Sequence, residues 1–244
     1  MTKYLKMGGC NDMSIKDNIE QINVLKEEAA RKIGKKSEDV LLVAVTKTYG
    51  AGEINEAIAA GIKDIGENKV QEILDKYENV KPVNWHMIGH LQTNKVKYII
   101  DKVSMIHSVD SLKLAEEINK RASKIGIVMD ILLQVNPAME ESKFGIASEE
   151  TGELLHAILE NFPSIRVCGL MSIVPYDENP ENVRKYFAQV KNTYDKFKNI
   201  EHNRMEFKYL SMGMSHDFQV AIEEGANLIR VGTAIFGDRD YSKQ

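Results

Sequence analysis

Lys47 closes an apolar run, Val40-Leu-Leu-Val-Ala-Val-Thr-Lys47, with the composition of a strand buried on both faces. A lysine held in such surroundings gives up its proton more easily, because burial disfavours the charged form. A neutral amine attacks carbonyls and forms Schiff bases. The simpler alternative is a lysine that ends a strand and reaches back to water. Two further clusters join glycine to hydroxyls: Ser211-Met212-Gly213-Met214-Ser215 and Gly232-Thr233. Glycines let backbone N–H groups converge, which is how loops cradle phosphate. Arg230 precedes the second cluster within an apolar stretch. A buried arginine needs a partner, either a carboxylate or a ligand ring. A Schiff-base lysine beside a phosphate cradle narrows the chemistry to pyridoxal phosphate or to an aldolase acting on a sugar phosphate.

Other patterns carry less. His86 and His90 have the i, i+4 spacing of a helical metal pair, but the run Trp85-His-Met-Ile-Gly-His90 passes from strand to loop and has no glutamate after the first histidine. Gly61 and Gly66 have the glycine spacing of a nucleotide loop, yet Glu67-Asn68 stands where lysine and a hydroxyl are required. Met171, Met212 and Met214 read as packing near the same loops.

Short apolar runs alternate along the chain with longer segments of helical period. A leading helix is expected over residues 14–33, with Gly34 as its stop. Strands are expected at 40–46, 64–66, 85–88, 105–109, 129–135, 167–173, 209–212 and 228–231. Helices fall between them, among them 70–77, 95–100 and 180–197. About eight strand-then-helix units in one chain suggest a single α/β domain, a (β/α)8 TIM barrel with an extra N-terminal helix. Such barrels place their active sites at the C-terminal ends of the strands. Lys47, Asn68, Ser211–Ser215, Arg230 and Gly232–Thr233 all lie within or just past these ends.

The chain has 244 residues, 43% hydrophobic and 28% charged, which is ordinary globular composition. The net charge of −4 argues against nucleic acid as the main partner. No apolar run approaches a membrane span. Cys10 and Cys168 are too few for a disulfide framework, so a reducing cytoplasm is expected. Residues 1–13 read as a disordered lead-in, and 14–244 as the barrel domain.

Taken in order, Ala44-Val-Thr-Lys47, Gly66-Glu-Asn68, the run from His86 to Lys95, His107-Ser-Val-Asp110, Lys143-Phe-Gly145, Gly169-Leu-Met171, Ser211-Met-Gly-Met-Ser215 and the run from Arg230 to Gly237 closely resemble the pyridoxal phosphate homeostasis protein family. The resemblance spans residues 14–237. It implies a barrel of the alanine-racemase N-terminal-domain type, acting as a monomer. It implies pyridoxal 5'-phosphate held as a Schiff base on Lys47. Ser211, Ser215, Gly232 and Thr233 would hold the phosphate, with Met212 and Gly213 also among the cofactor-binding residues. Arg230 would face the pyridine nitrogen, Asn68 would lie close by, and Lys143 resembles a position linked to cofactor handling. Tyr49-Gly50 departs from the family pattern, where a more proline-like turn is expected, and this bears on the shape of the loop after Lys47.

Racemization needs a base on each face of a carbanion. Alanine-racemase-like enzymes take the second from an additional β domain, and here eight units use up the chain. An arginine at the pyridine nitrogen would also weaken the ring as an electron sink. The expectation is therefore a protein that holds and delivers pyridoxal phosphate, with cofactor-dependent apoenzymes as transient acceptors. A pyridoxal-phosphate-dependent amino-acid racemase is the alternative.

Overall fold

The computed structural model describes residues 13–237. Eight parallel strands close into a barrel in the order β1 to β8, with β1 hydrogen-bonded to both β2 and β8. The strands are β1 (Leu41–Val45), β2 (Asp64–Glu67), β3 (Asn84–Met87), β4 (Met105–Val109), β5 (Met129–Val135), β6 (Ile165–Ser172), β7 (Met205–Ser211) and β8 (Leu228–Val231). The helices are α1 (Ile15–Lys32), α2 (Ala51–Ala59), α3 (Val70–Lys76), α4 (Leu112–Lys124), α5 (Thr151–Asn161), α6 (Arg184–Phe197), α7 (Phe218–Glu223) and α8 (Thr233–Phe236). The expected eight units and leading helix are thus present. The lead-in assigned to residues 1–13 lies outside the described residues, except for Met13.

Most boundaries fall within two residues of the expectation, and three elements differ in extent or type. β7 begins at Met205, four residues earlier, because Met-Glu-Phe-Lys alternates charged and apolar residues and so lacks the continuous apolar run that marked the other strands. The helix expected at 95–100 is instead a 3₁₀ segment, Thr93–Tyr98. The first turn of the helix expected from residue 180 is likewise 3₁₀, with the α-helix starting at Arg184. Pro180 lacks the N–H a preceding helical turn would use, so it can stand only at such a start.

α1 begins with a capping box: Ser14 Oγ accepts from Asp17 N (3.2 Å) and the Asp17 carboxylate accepts from Ser14 N (3.1 Å). Its buried stripe, Ile19, Ile22, Ala29 and Ala30, packs toward the barrel. α1 lies against α7, α8 and α2. That is the slot in the outer ring which a full-length α8 would fill, and α8 has only four residues. Asn18 Nδ2 donates to Ile235 O (2.9 Å) and Lys32 pairs with Glu223 (2.6 Å), fixing α1 there.

Strand alternation divides the core in two. Leu42, Ala44, Ile65, Trp85, Met87, Ile106, Leu133 and Leu170 belong to the layer between sheet and helices. Met105, Leu132, Cys168 and Met171 form a separate cluster inside the barrel.

Candidate functional site

β1 ends at Val45, and Lys47 stands two residues beyond it in a tight turn, not within the strand. Tyr49 N donates to Thr46 O (3.1 Å), so Lys47 and Thr48 are the central pair of a β-turn. Thr48 has φ +73°, a left-handed value that glycine normally supplies. The strain is held from α3. Thr48 N donates to Glu72 Oε2 (2.6 Å). Lys76 Nζ donates to Thr46 O (3.0 Å), Glu67 Oε1 (2.8 Å) and Glu72 Oε2 (2.8 Å), and Thr46 Oγ1 donates to Glu67 Oε1 (2.7 Å). Burial pushes the Glu67 carboxyl up to about 7 even though Lys76 and Thr46 bond its charged form. Lys47 itself is half-buried.

Tyr49 also reaches the far side of the site. Its ring stacks on Phe236 (centroids 4.6 Å apart) and its hydroxyl donates to Gly237 O (2.8 Å). The lysine turn and the loop after β8 are therefore one tied unit, and the non-proline residue after Thr48 supplies the tie.

At that loop, Ser215 Oγ accepts from Gly232 N (3.2 Å) and Ala234 N (3.4 Å). Two amides flanking Thr233 thus converge on one oxygen, the donor geometry a phosphate oxygen needs. Gly213 has φ +86°, and a Cβ there would come within 2.8 Å of Phe218 Cα, so this loop can approach α7 only as glycine. Met212 is fully buried in the outer layer. Its side chain therefore packs toward the helices, and its N–H is committed to Leu228 O (3.1 Å).

Arg230 is 3% exposed on β8. It donates to Ser211 Oγ and, through Nη2, to Ser172 O (2.7 Å). Its recorded partners are thus a hydroxyl and a carbonyl, with Asp217 acting only as a nearby opposite charge. Burial lowers the guanidinium to about 10, still well above neutrality. Ser211 consequently sits inside the barrel with Arg230 and His107, while the convergent amides bond Ser215.

Asn68 follows β2 and is half-buried. The loop after β3 presses on it so closely that a Cβ on Gly89 would lie 2.3 Å from Asn68 O. Lys143 lies over the ends of β5 and β6, paired with Glu140 and donating to Val174 O (2.9 Å). His90 stacks on Phe144 at 3.7 Å, while His86 points into the barrel, so the two histidines do not share a site.

Among the buried oxygens without a hydrogen-bond partner are Thr48 Oγ1, Asn136 Oδ1 and Ser172 Oγ, all at strand ends. They follow β1 and β5 and end β6. An unmatched buried oxygen costs about 1–3 kcal/mol, and a polar ligand at this end would relieve it. A cavity of about 450 Å³ opens elsewhere, beside Leu41, Asp64 and Asn227 at the strands' N-terminal end, and none of the candidate residues lines it.

Glu72 and Lys76 were not singled out from the sequence, and Tyr49 and His107 stood there only within motifs, with no role given to either. Glu72 and Lys76 form an i, i+4 pair of opposite charge, the one local signal available.

A parallel barrel with a lysine turn after β1 and an amide cradle after β8 defines a class. The family model of the alanine racemase N-terminal domain matches residues 23–240. A relative from Aquifex aeolicus, named pyridoxal phosphate homeostasis protein, is 48% identical over 217 residues, covering 88% of this chain and 94% of its own. A solved protein of unknown function from Bifidobacterium adolescentis has a TM-score of 0.86 at 33% identity, covering 96% of this chain and 100% of its own. PipY of Synechococcus elongatus, solved with pyridoxal phosphate bound, has a TM-score of 0.78 at 30% identity, covering 92% and 100%. The chain belongs to the alanine racemase N-terminal domain family and, within it, to the pyridoxal phosphate homeostasis proteins.

Proposed function

We propose that this chain binds pyridoxal 5'-phosphate at the C-terminal mouth of the barrel, with Lys47 as the attachment point, and that it holds the cofactor for delivery. The observation that carries the reading is the Tyr49 tie. It fixes the turn bearing the Lys47 amine relative to the amides at Gly232 and Ala234. A ligand with an aldehyde at one end and a phosphate at the other needs both ends held at a set distance. The partnerless oxygens of Thr48, Asn136 and Ser172 further support a polar occupant.

When bound, pyridoxal phosphate supplies an aldehyde carbon that condenses reversibly with a primary amine. The protein's residues divide the remaining work. Ser215, Gly213, Gly232 and Thr233 would hold the phosphate through hydroxyls and main-chain N–H groups, with Met212 keeping the loop seated on the outer core. Arg230 would face the ring nitrogen, and Ser211 would hold that arginine. A guanidinium still charged at neutral pH can only donate, so it would leave the ring nitrogen without a proton of its own. That disfavours carbanion chemistry and suits holding over turnover. Asn68 would flank the ring, and Lys143 would act at the rim during release.

Cofactor-dependent apoenzymes would be the acceptors, in the cytoplasm and with this chain as a monomer. Among the described residues no helix is long and apolar enough to cross a membrane.

An absorption titration tests the reading. The native chain should develop a visible band on adding pyridoxal phosphate. Lys47→Ala should lose that band yet still retain the cofactor, in competition with inorganic phosphate. Equal loss of band and binding would contradict the division between amine and cradle.

A further inference from the structure

A file of buried polar groups crosses the inside of the barrel. Arg230 donates to Ser211 Oγ, and Ser211 Oγ lies 3.4 Å from His107 Nδ1. His107 Nε2 lies 2.9 Å from His86 Nδ1, and His86 Nε2 lies 3.0 Å from Asp64 Oδ1. Ser211 and His107 are fully buried, His86 and Arg230 are 3% exposed, and Asp64 is 7% exposed. The file starts at Arg230 on β8, passes Ser211 at the end of β7 and finishes at the first residue of β2, where Asp64 borders the cavity at the opposite end of the barrel.

Hydrogen-bonding capacity sets its direction. A guanidinium has donors only, so Ser211 Oγ accepts from Arg230. The Asp64 oxygen accepts, and also takes a bond from Asn84 Nδ2 (3.0 Å), so His86 Nε2 carries a hydrogen. A neutral imidazole with hydrogen on Nε2 presents a lone pair at Nδ1, so His107 Nε2 donates to His86. His107 Nδ1 is then an acceptor, and the Ser211 hydroxyl supplies its hydrogen. The reverse arrangement would put hydrogen on both nitrogens of His86, a charge inside the barrel, and would make Ser211 Oγ accept from both Arg230 and His107, leaving its own hydrogen without an acceptor among the described residues. Burial, His86 and the Arg230 charge all hold His107 well below its usual range.

We propose that Asp64, His86 and His107 are positioning residues for Arg230: a one-way donor file, Arg230 to Ser211 to His107 to His86 to Asp64, keeps both imidazoles neutral with hydrogen on Nε2 and pins the guanidinium. Ser211 anchors Nη1 only while its own hydrogen is drawn toward His107, and Ser172 O anchors Nη2. The effect on the ligand rests on the pyridoxal phosphate reading above, whereas the file itself does not.

Two measurements test this, and they fail independently. Long-range ¹H–¹⁵N spectra of the full chain, with no cofactor added, report tautomer directly. His86 and His107, assigned from His86→Gln and His107→Gln spectra, should show the neutral Nε2–H pattern at pH 6 and at pH 8. A charged ring or an Nδ1–H tautomer at either residue overturns the file, whatever the chain binds. If a glutamine variant does not fold, selective labelling and through-space contacts to Met105 and Leu132 assign the native spectrum.

In the second measurement, His107→Leu should weaken pyridoxal phosphate binding about tenfold, the loss of one hydrogen bond to a charged group, and shift the visible band. His107→Gln can accept from Ser211 and donate to His86, so it should restore most of the affinity and the native band. Native binding and an unshifted band in a folded His107→Leu would refute the positioning role. If the native chain itself binds no pyridoxal phosphate, the functional reading fails while the tautomer spectra still decide the file.

Discussion

Thr48 occupies a conformation that its side chain disfavours, at φ +73°, immediately after Lys47. Left-handed backbone at a β-branched residue costs about 1–3 kcal/mol and persists only where neighbours over-determine it. Here Glu72 takes the Thr48 N–H and Lys76 takes the Thr46 carbonyl. Thr48→Gly removes the steric cost and a partnerless buried hydroxyl, while the N–H bond to Glu72 survives. Chemical denaturation should find the variant more stable by about 1 kcal/mol, and a loss of stability would argue that the turn is not strained. Lys47 and the two glycine–hydroxyl clusters could be read from the sequence because each is a local run of a few residues. His107 could not, since its partner Ser211 lies 104 positions away. Arg230 was legible as a buried cation, but its choice of a hydroxyl and a carbonyl over a carboxylate depends on strands that meet only in the closed barrel.

α3 is a short helix whose polar face clamps the β1 turn. Glu67, on β2, has no exposed side-chain surface and one oxygen without a partner. Its carboxyl is pushed up to about 7 by burial, above the ordinary value near 4.5 that it takes when unfolded. The folded state therefore binds more protons than the unfolded state between those values. Its contribution is fully present below about pH 4.5 and is lost as pH rises through about 7. Glu67→Gln should flatten this fall in stability between pH 5 and pH 8. An unchanged pH profile would show that Glu67 ionises normally in the fold. Strands and helices were mostly legible because their apolar periods are explicit. β7 was read short because its first residues alternate charge with apolar character, and 95–100 was read as an ordinary helix because periodicity over one or two turns does not distinguish a 3₁₀ segment from an α-helix.

The whole barrel is closed by an element that precedes it. α8 is too short to cover the seam between β8 and β1, and α1 covers it instead. Residues 14–33 were legible as a helix stopped by Gly34, but nothing in the sequence signals that α1 completes the ring. If it does, Ile22→Ala should cost about 2–5 kcal/mol of global stability, as for any large core aliphatic residue. A cost near zero would make α1 an appendage. The same closure seats α8 and hence the Gly232–Gly237 loop, which Asn18 and Tyr49 grip from two sides. The site thus depends on both ends of the described chain.

The central claim is that Lys47 is the residue to which pyridoxal phosphate attaches. The most direct measurement is borohydride reduction of the cofactor-loaded chain followed by peptide mass mapping. The account predicts one reduced pyridoxyl adduct, on Lys47, absent from Lys47→Ala. An adduct on another lysine, such as Lys76 or Lys143, or none at all on a chain that takes up the cofactor, would contradict it.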